Sequence, residues 1–268
     1  MVSTNFSNEA FEEGCERWSN PLNVKSLSKA FRLLEVFRDA PTPLGLAELV
    51  QATGMDKSTV QRFTFTLKEM GYLEQDPDTR RYVLGRRVLD LTFGYLHAHP
   101  LVERASPVLV DLRRSVQERV DMTVPDGDWV LYVVRMQAKR ENYSAALIGR
   151  RIPMFCSAGG RAMLSALPEE EALQVVQRAD RVRHTPNTLT DVEAIMREVR
   201  AARERGYALQ VGEWRAGEIA AAVPIVDKRG VPIAAVHVAV SIGEWTREEV
   251  ERRIVPLLMD AGAVINKS

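Results

Sequence analysis

After Asn23 the apolar positions Leu27, Ala30, Phe31, Leu34 and Phe37 recur at helical spacing until Pro41 and Pro43 end the run. This predicts a first helix. Leu46, Leu49 and Val50 predict a short second one, closed by Gly54, because a residue just past a helix often takes the left-handed conformation that glycine adopts freely. A third helix begins near Asp56, whose carboxylate suits a helix N-terminus, and buries Val60, Phe63, Leu67 and Met70 before Gly71. Tyr72 to Glu74 and Arg81 to Leu84 then read as two strands around the turn cluster Asp76-Pro-Asp-Thr79. Three helices and a hairpin in this order form a winged helix-turn-helix.

The rest of the chain alternates differently. Arg87 to His97 carries Val88, Leu89, Leu91, Thr92 and Tyr95 on overlapping apolar faces and predicts a helix. Beyond it the pattern predicts a helix over Leu101 to Val120, then strands near Asp121 to Val124, Trp129 to Arg135 and Tyr143 to Ile148. Helices are expected over Gly160 to Leu167, Pro168 to Arg178 and Asp191 to Arg205. Ala220 to Val226 and Pro232 to Val240 are apolar, branched runs about the Asp227-Lys-Arg-Gly230 turn, which predicts a hairpin. Thr246 and Glu249 have the spacing of a capping box that starts the last helix. The alternation indicates an α+β domain, an antiparallel sheet flanked by helices.

Length and charge refine this picture. The chain has 268 residues, 46% of them hydrophobic, which suits one small domain and one larger one. Lys+Arg and Asp+Glu both total 36, so any affinity for nucleic acid must be local. Lys25 to Arg87 holds 11 basic and 8 acidic residues, whereas Met1 to Val24 sets Glu9, Glu12, Glu13 and Glu16 against Arg17 alone. Residues 1–22 show no sustained period and are expected to be a disordered arm. Cys15 and Cys156 lack the spacing of a zinc site or disulfide scaffold, so neither metal nor cofactor is expected. With no apolar run of membrane length and acids where a secretory signal would be basic, the protein is expected in the cytoplasm, without a membrane partner.

The third helix carries the first candidate chemistry. Burying Val60, Phe63 and Leu67 turns Lys57, Ser58, Thr59, Gln61 and Arg62 to solvent. Such a face fits the major groove of double-stranded DNA, where Arg pairs with guanine, Gln with adenine, and Ser or Thr with phosphate or a thymine methyl. Arg80 and Arg81, at the tip or descending edge of the hairpin, are placed to contact phosphate or the minor groove. A solubilising face remains the competing reading.

At this point Leu46-Ala-Glu-Leu49, Thr53-Gly-Met-Asp-Lys-Ser-Thr-Val-Gln-Arg62 and Tyr82-Val-Leu-Gly85 together resemble the IclR family of bacterial regulators. Gly149-Arg-Arg-Ile-Pro153, Ser157-Ala-Gly-Gly-Arg161, Arg205-Gly-Tyr-Ala208, Glu213 and Ala222-Val-Pro-Ile225 resemble, in order, the landmarks of its effector domain. Asp56 departs from the family's usual proline, and both residues suit a helix start. The resemblance implies a winged helix-turn-helix over 23–85, a linker helix over 86–99 that holds a dimer together, and a GAF-like effector domain over 100–268. It also implies a homodimer on an imperfect palindrome, with dimers associating further into tetramers.

By the same resemblance a small organic acid would meet the loop of Met154, Cys156, Ser157, Ala158, Gly159 and Gly160, together with Glu213, His237 and Ala239. Gly159 and Gly160 leave backbone N–H groups at a positive helix end, a cradle for a carboxylate. His237 is open to two readings, an imidazole that favours an anionic ligand or a core histidine satisfied by a carbonyl. Trp129, Tyr132, Phe155 and Trp214 could stack on a ring or simply pack. Arg87-Val-Leu-Asp-Leu91, Gly94-Tyr-Leu96, Pro100-Leu101 and Pro107-Val-Leu109 resemble the branch that regulates protocatechuate, 4-hydroxybenzoate and β-ketoadipate catabolism, which implies an aromatic or dicarboxylic effector. Two other classes compete. A hydrolase would use Cys156 or Ser157 with His184 or His237, but no nucleophile elbow surrounds either, and no catalytic residue is assigned. A ligand-sensing scaffold without DNA binding is the other, against which the intact Ser58-Thr59 pair and Arg62 speak.

Overall fold

The computed structural model describes residues 20, 22–38, 40–137 and 148–267. The expected arm and the expected strand through Tyr143 lie outside these residues, apart from Asn20, Leu22 and Ile148; Ile148 stands in a turn. The chain divides into two compact units, Met1–Tyr95 and Leu96–Ser268.

In the first unit, α1 (Lys25–Glu35) runs into a 3-10 turn, Val36–Arg38, followed by α2 (Leu46–Thr53) and α3 (Lys57–Glu69). Leu33, Phe37, Leu49, Val60 and Leu67 from these elements enclose one core with Leu73 and Tyr82 of the hairpin. Gly54 ends α2 at φ 65° with its N–H on the Val50 carbonyl. Two residues later Asp56 caps α3, accepting from the Thr59 N–H at 2.8 Å and the Thr59 hydroxyl at 2.7 Å. The sequence thus ends one helix and starts the next within three residues. Strands β1 (Leu73–Gln75) and β2 (Tyr82–Leu84) pair with Leu73 opposite Leu84, and Leu44 adds a bridge to Tyr82. Met70, expected inside the core, is instead exposed at the end of α3.

Helix α4 (Arg87–His97) leads to the second unit, in which a six-stranded antiparallel sheet has the order β5-β4-β3-β8-β7-β6. Its strands are β3 (Arg119–Asp126), β4 (Trp129–Met136), β5 (Arg151–Pro153), β6 (Ala208–Val211), β7 (Glu218–Val226) and β8 (Pro232–Ser241). Helix α5 (Pro100–Val116) and the C-terminal helix cover one face through Leu109, Leu112, Leu258 and Ile265. Helices α6 (Ala158–Ala166), α7 (Glu169–Arg178) and α8 (Val192–Arg205) cover the other through Ala162, Val176 and Val199.

Three expectations need correction. Helix α5 stops at Val116, because Gln117 turns left-handed at φ 58° and the chain enters β3 at Arg119, so Arg119 and Val120 are strand residues. The short edge strands β5 and β6 were not foreseen; three or four residues cannot display a readable alternation. The last helix starts on the expected capping box, α9 (Arg247–Glu249), but widens into a π turn at Val250–Ile254 before α10 (Val255–Lys267). Pro256, the second residue after that turn, has no N–H for the Arg252 carbonyl, which accounts for the widening.

Asp56→Ala removes both acceptors from the first turn of α3, whereas Asp56→Asn keeps a capping oxygen. Hydrogen exchange of the α3 N-terminal amides is expected to speed up in Asp56→Ala and to stay near wild type in Asp56→Asn. Equal exchange in all three proteins would show that the cap contributes nothing.

Candidate functional site

Lys57, Ser58, Gln61 and Arg62 all project from α3 into solvent. Among the described residues no ion pair or side-chain hydrogen bond holds Lys57, Arg62 or Arg80, so these cations are available. Thr59 differs: its hydroxyl donates to Asp56, which makes it a cap partner first. Arg81 differs more. Its Nε donates to the Pro43 carbonyl at 2.8 Å and its Nη2 to Glu48 at 2.6 Å, tying the hairpin to the start of α2. The guanidinium and the Gly45 N–H hold the Glu48 carboxyl below its ordinary range, the backbone bond contributing most. Arg80, at φ 57° beside the Asp76 turn, is the hairpin cation left for an outside partner.

The second unit encloses its candidate site between α6 and the inner face of the sheet. The loop before α6 lies directly on the helix: a Cβ on Gly160 would stand 2.3 Å from the Met154 Cα, so only glycine fits. Ser157 caps the helix, accepting from the Gly160 N–H, and gives its own proton to the Pro153 carbonyl at 2.7 Å. Two residues on from Ser157, Gly159 faces the sheet. A Cβ there would meet Thr123 Oγ1 at 2.9 Å and His237 Nδ1 at 3.3 Å, and neither of those buried atoms has a hydrogen-bond partner among the described residues.

His237 is oriented from behind. Its Nε2 lies 3.3 Å from Oδ2 of Asp121, its register partner on β3, so the carboxylate takes the Nε2 proton and Nδ1 faces the slot beside Gly159. Asp121 is fully buried and also accepts from Arg119 Nε at 2.9 Å, with Arg135 at 3.7 Å. Burial pushes its pKa up, but His237, Arg119 and Arg135 outweigh that and hold the carboxyl below its usual range. Arg119 continues to Glu218 at 2.7 Å. Polar groups on β3, β4, β7 and β8 thus form one buried network.

From this network a narrow cleft runs outward past Tyr132, Ile152 and Trp214, with free room for about one water molecule. Arg150 and Arg215 stand at the mouth, where Arg150 lies 5.6 Å over the Trp214 ring. Partial burial and then the charge of Arg215 depress the Arg150 pKa. Two guanidiniums are therefore set side by side, an arrangement that an anion relieves.

Of the residues expected to meet a ligand, Ser157, Ala158, Gly159 and His237 line the cleft. Met154, Cys156, Gly160, Glu213 and Ala239 do not. Glu213 is spent on a bidentate pair with buried Arg161, at 2.5 and 2.6 Å, and on the Leu189 N–H. Met154 and Gly160 pack on each other, and Ala239 is a buried wall of the inner face. Cys156 is buried, and desolvation pushes its thiol up to about 12, so no thiolate forms at neutral pH. Neither Cys156 nor Ser157 is an activated nucleophile, and His184 packs against Phe155 and Trp214 instead. Sequence reasoning missed Arg119, Asp121, Thr123, Arg150 and Glu218. The signal was present: polar residues at 119, 121 and 123 alternate with Val120 and Met122, but carrying the preceding helix through Val120 took Arg119 and Val120 out of the strand and left the alternation too short to read.

Comparison with known proteins agrees with this architecture. Residues 26–77 match the IclR helix-turn-helix domain and residues 93–267 the bacterial transcriptional regulator IclR C-terminal domain. The Pca regulon regulatory protein of Pseudomonas putida is 30% identical over 243 residues, 90% of this chain and 83% of that protein. The HTH-type transcriptional regulator KipR of Bacillus subtilis is 33% identical over 217 residues, 80% of this chain and 85% of its own. Among solved structures, an IclR regulator from Alicyclobacillus acidocaldarius superposes with a TM-score of 0.80 at 25% identity, covering 91% of this chain and 98% of its own. An IclR homolog from Microbacterium hydrocarbonoxydans, complexed with 4-hydroxybenzoate, gives 0.73 at 26%, covering 90% and 98%. These relatives are regulators rather than enzymes. With both family domains present in order, and an exposed polar helix face on the first of them, the chain belongs to the IclR family of bacterial transcriptional regulators.

Proposed function

We propose that this regulator reads an imperfect palindrome in double-stranded DNA through Lys57, Ser58, Gln61, Arg62 and Arg80, and controls a catabolic operon in response to a small organic acid. The observation that carries the effector half is the cleft itself. Its inner end holds His237, whose buried Nδ1 is in want of a partner, and its mouth holds two neighbouring guanidiniums. A buried orphan costs free energy until something bonds to it, and an acid supplies charge for the mouth and polar atoms for the inner end. Tyr132 and Trp214 between the two ends favour a flat body, so an aromatic acid is the preferred class. The 4-hydroxybenzoate bound in the Microbacterium structure points the same way.

Pairing of two copies fits α4. That helix buries none of its residues, and Leu89 and Leu91 are exposed on it. Large apolar surface of this kind calls for a partner, and a second α4 gives the two-fold symmetry that a palindrome requires. Pairs then associate into a dimer of dimers. The acid acts by its different affinity for the DNA-competent and incompetent arrangements of the pair.

Arg62→Ala is expected to weaken operator binding by about 1–3 kcal/mol, the worth of a bidentate base contact. Electrophoretic titration against the operator and random DNA reads this, and unchanged affinity would remove Arg62 from the interface. His237→Ala is expected to abolish the response to acid while leaving DNA affinity without ligand unchanged. In calorimetry with 4-hydroxybenzoate, protocatechuate and β-ketoadipate as probes, Arg150→Ala and Arg215→Ala should each weaken whichever acid binds wild type. A fully responsive His237→Ala protein, or arginine variants that bind as wild type, would contradict the cleft as the effector site.

A further inference from the structure

We infer that Phe65 is a base-reading residue, whose ring contacts the C5-methyl of a thymine in the major groove. The inference rests on α3 being the groove helix. Phe65 is 64% exposed, whereas Phe63 two positions earlier packs on the core of the first unit. The fold therefore gains little from this ring. At about 100° per residue, Phe65 stands about 20° from Ser58 and about 40–60° from Gln61 and Arg62, in the middle of the hydrogen-bonding face.

Its surroundings decide what it can recognise. Gln61, Arg62, Lys68 and Glu69 bracket it with an amide and three charges, and the other exposed apolar side chain of this stretch, Met70, lies about 140° around the axis. A protein partner needs a continuous apolar patch of several hundred square ångströms, which one isolated ring cannot provide. A base edge needs far less. In the major groove the thymine methyl is the apolar feature, and it sits beside the donors and acceptors that an amide and a guanidinium read. Phe65 lies about 4.5 Å beyond Arg62 along the helix, so the thymine falls about one to two base pairs from the base that Arg62 reads.

The test separates this inference from the reading beneath it. Full-length wild-type and Phe65→Ala proteins are each used to enrich binding sites from random duplex DNA, and each thymine of the wild-type motif is then replaced by uracil, which removes only the methyl. One thymine per half-site is expected to lose about three- to tenfold in wild-type affinity on replacement, the scale of burying one methyl group. Phe65→Ala should bind the thymine site about as weakly as wild type binds the uracil site, be indifferent to that replacement, and enrich a motif relaxed at that position. Because the ring is exposed, the variant should fold as wild type does, and its circular dichroism checks that. If wild type enriches a motif but no uracil replacement distinguishes the two proteins, the assignment of Phe65 is overturned while groove reading by α3 stands. If wild type enriches no motif, both are overturned.

Discussion

The second unit is organised around one buried charge. Asp121 sits on a central strand with no exposure, and a carboxylate in that position is tolerated only when cations and donors meet it. Arg119 on its own strand, Arg135 opposite it on β4 and His237 opposite it on β8 supply them. That requirement fixes the register of three strands at once, since a slip by one residue would carry Asp121 to the face packed by α5 and α10. It also fixes the site: because Asp121 occupies Nε2 of His237, the other ring nitrogen faces Gly159 and the cleft.

The helix across the cleft answers the same demand from the other side. Gly160 lets the preceding loop cross at backbone contact, and Gly159 leaves out the Cβ that would otherwise fill the slot before Thr123 and His237. Neither glycine is there for a turn. Both are places where any side chain would collide, and Gly159 preserves the inner end of the cleft. The bidentate Arg161–Glu213 pair pins the start of α6 to the segment after β6. Breaking either partner would leave the other charge buried and alone.

Much of this was legible in the sequence where a feature is local. Helix faces declared themselves by spacing, and the caps at Asp56 and Thr246 were readable because a cap needs only residues three apart. The loop from Ser157 to Gly159 and His237 were placed at the cleft by family resemblance rather than by physics. What stayed hidden was long-range. The Arg161–Glu213 pair spans 52 positions and the Arg119–Glu218 pair 99, and no periodicity reports such partners. Arg81 looked like a free hairpin cation because Glu48, which holds it, lies 33 residues earlier. Charged residues were assigned outward by default, and in this fold several of them turn inward.

In the proposed function the first unit reads a specific DNA sequence and the second adjusts that reading. Fluorescence anisotropy tests it most directly, with the purified full-length protein titrated onto DNA from upstream of its own gene and the adjacent operon, against random-sequence competitor and over a range of salt. Saturable binding is expected that survives the competitor, weakens steeply as salt rises, and shifts when a small organic acid is added. Weak binding that the competitor abolishes, with or without acid, would contradict it.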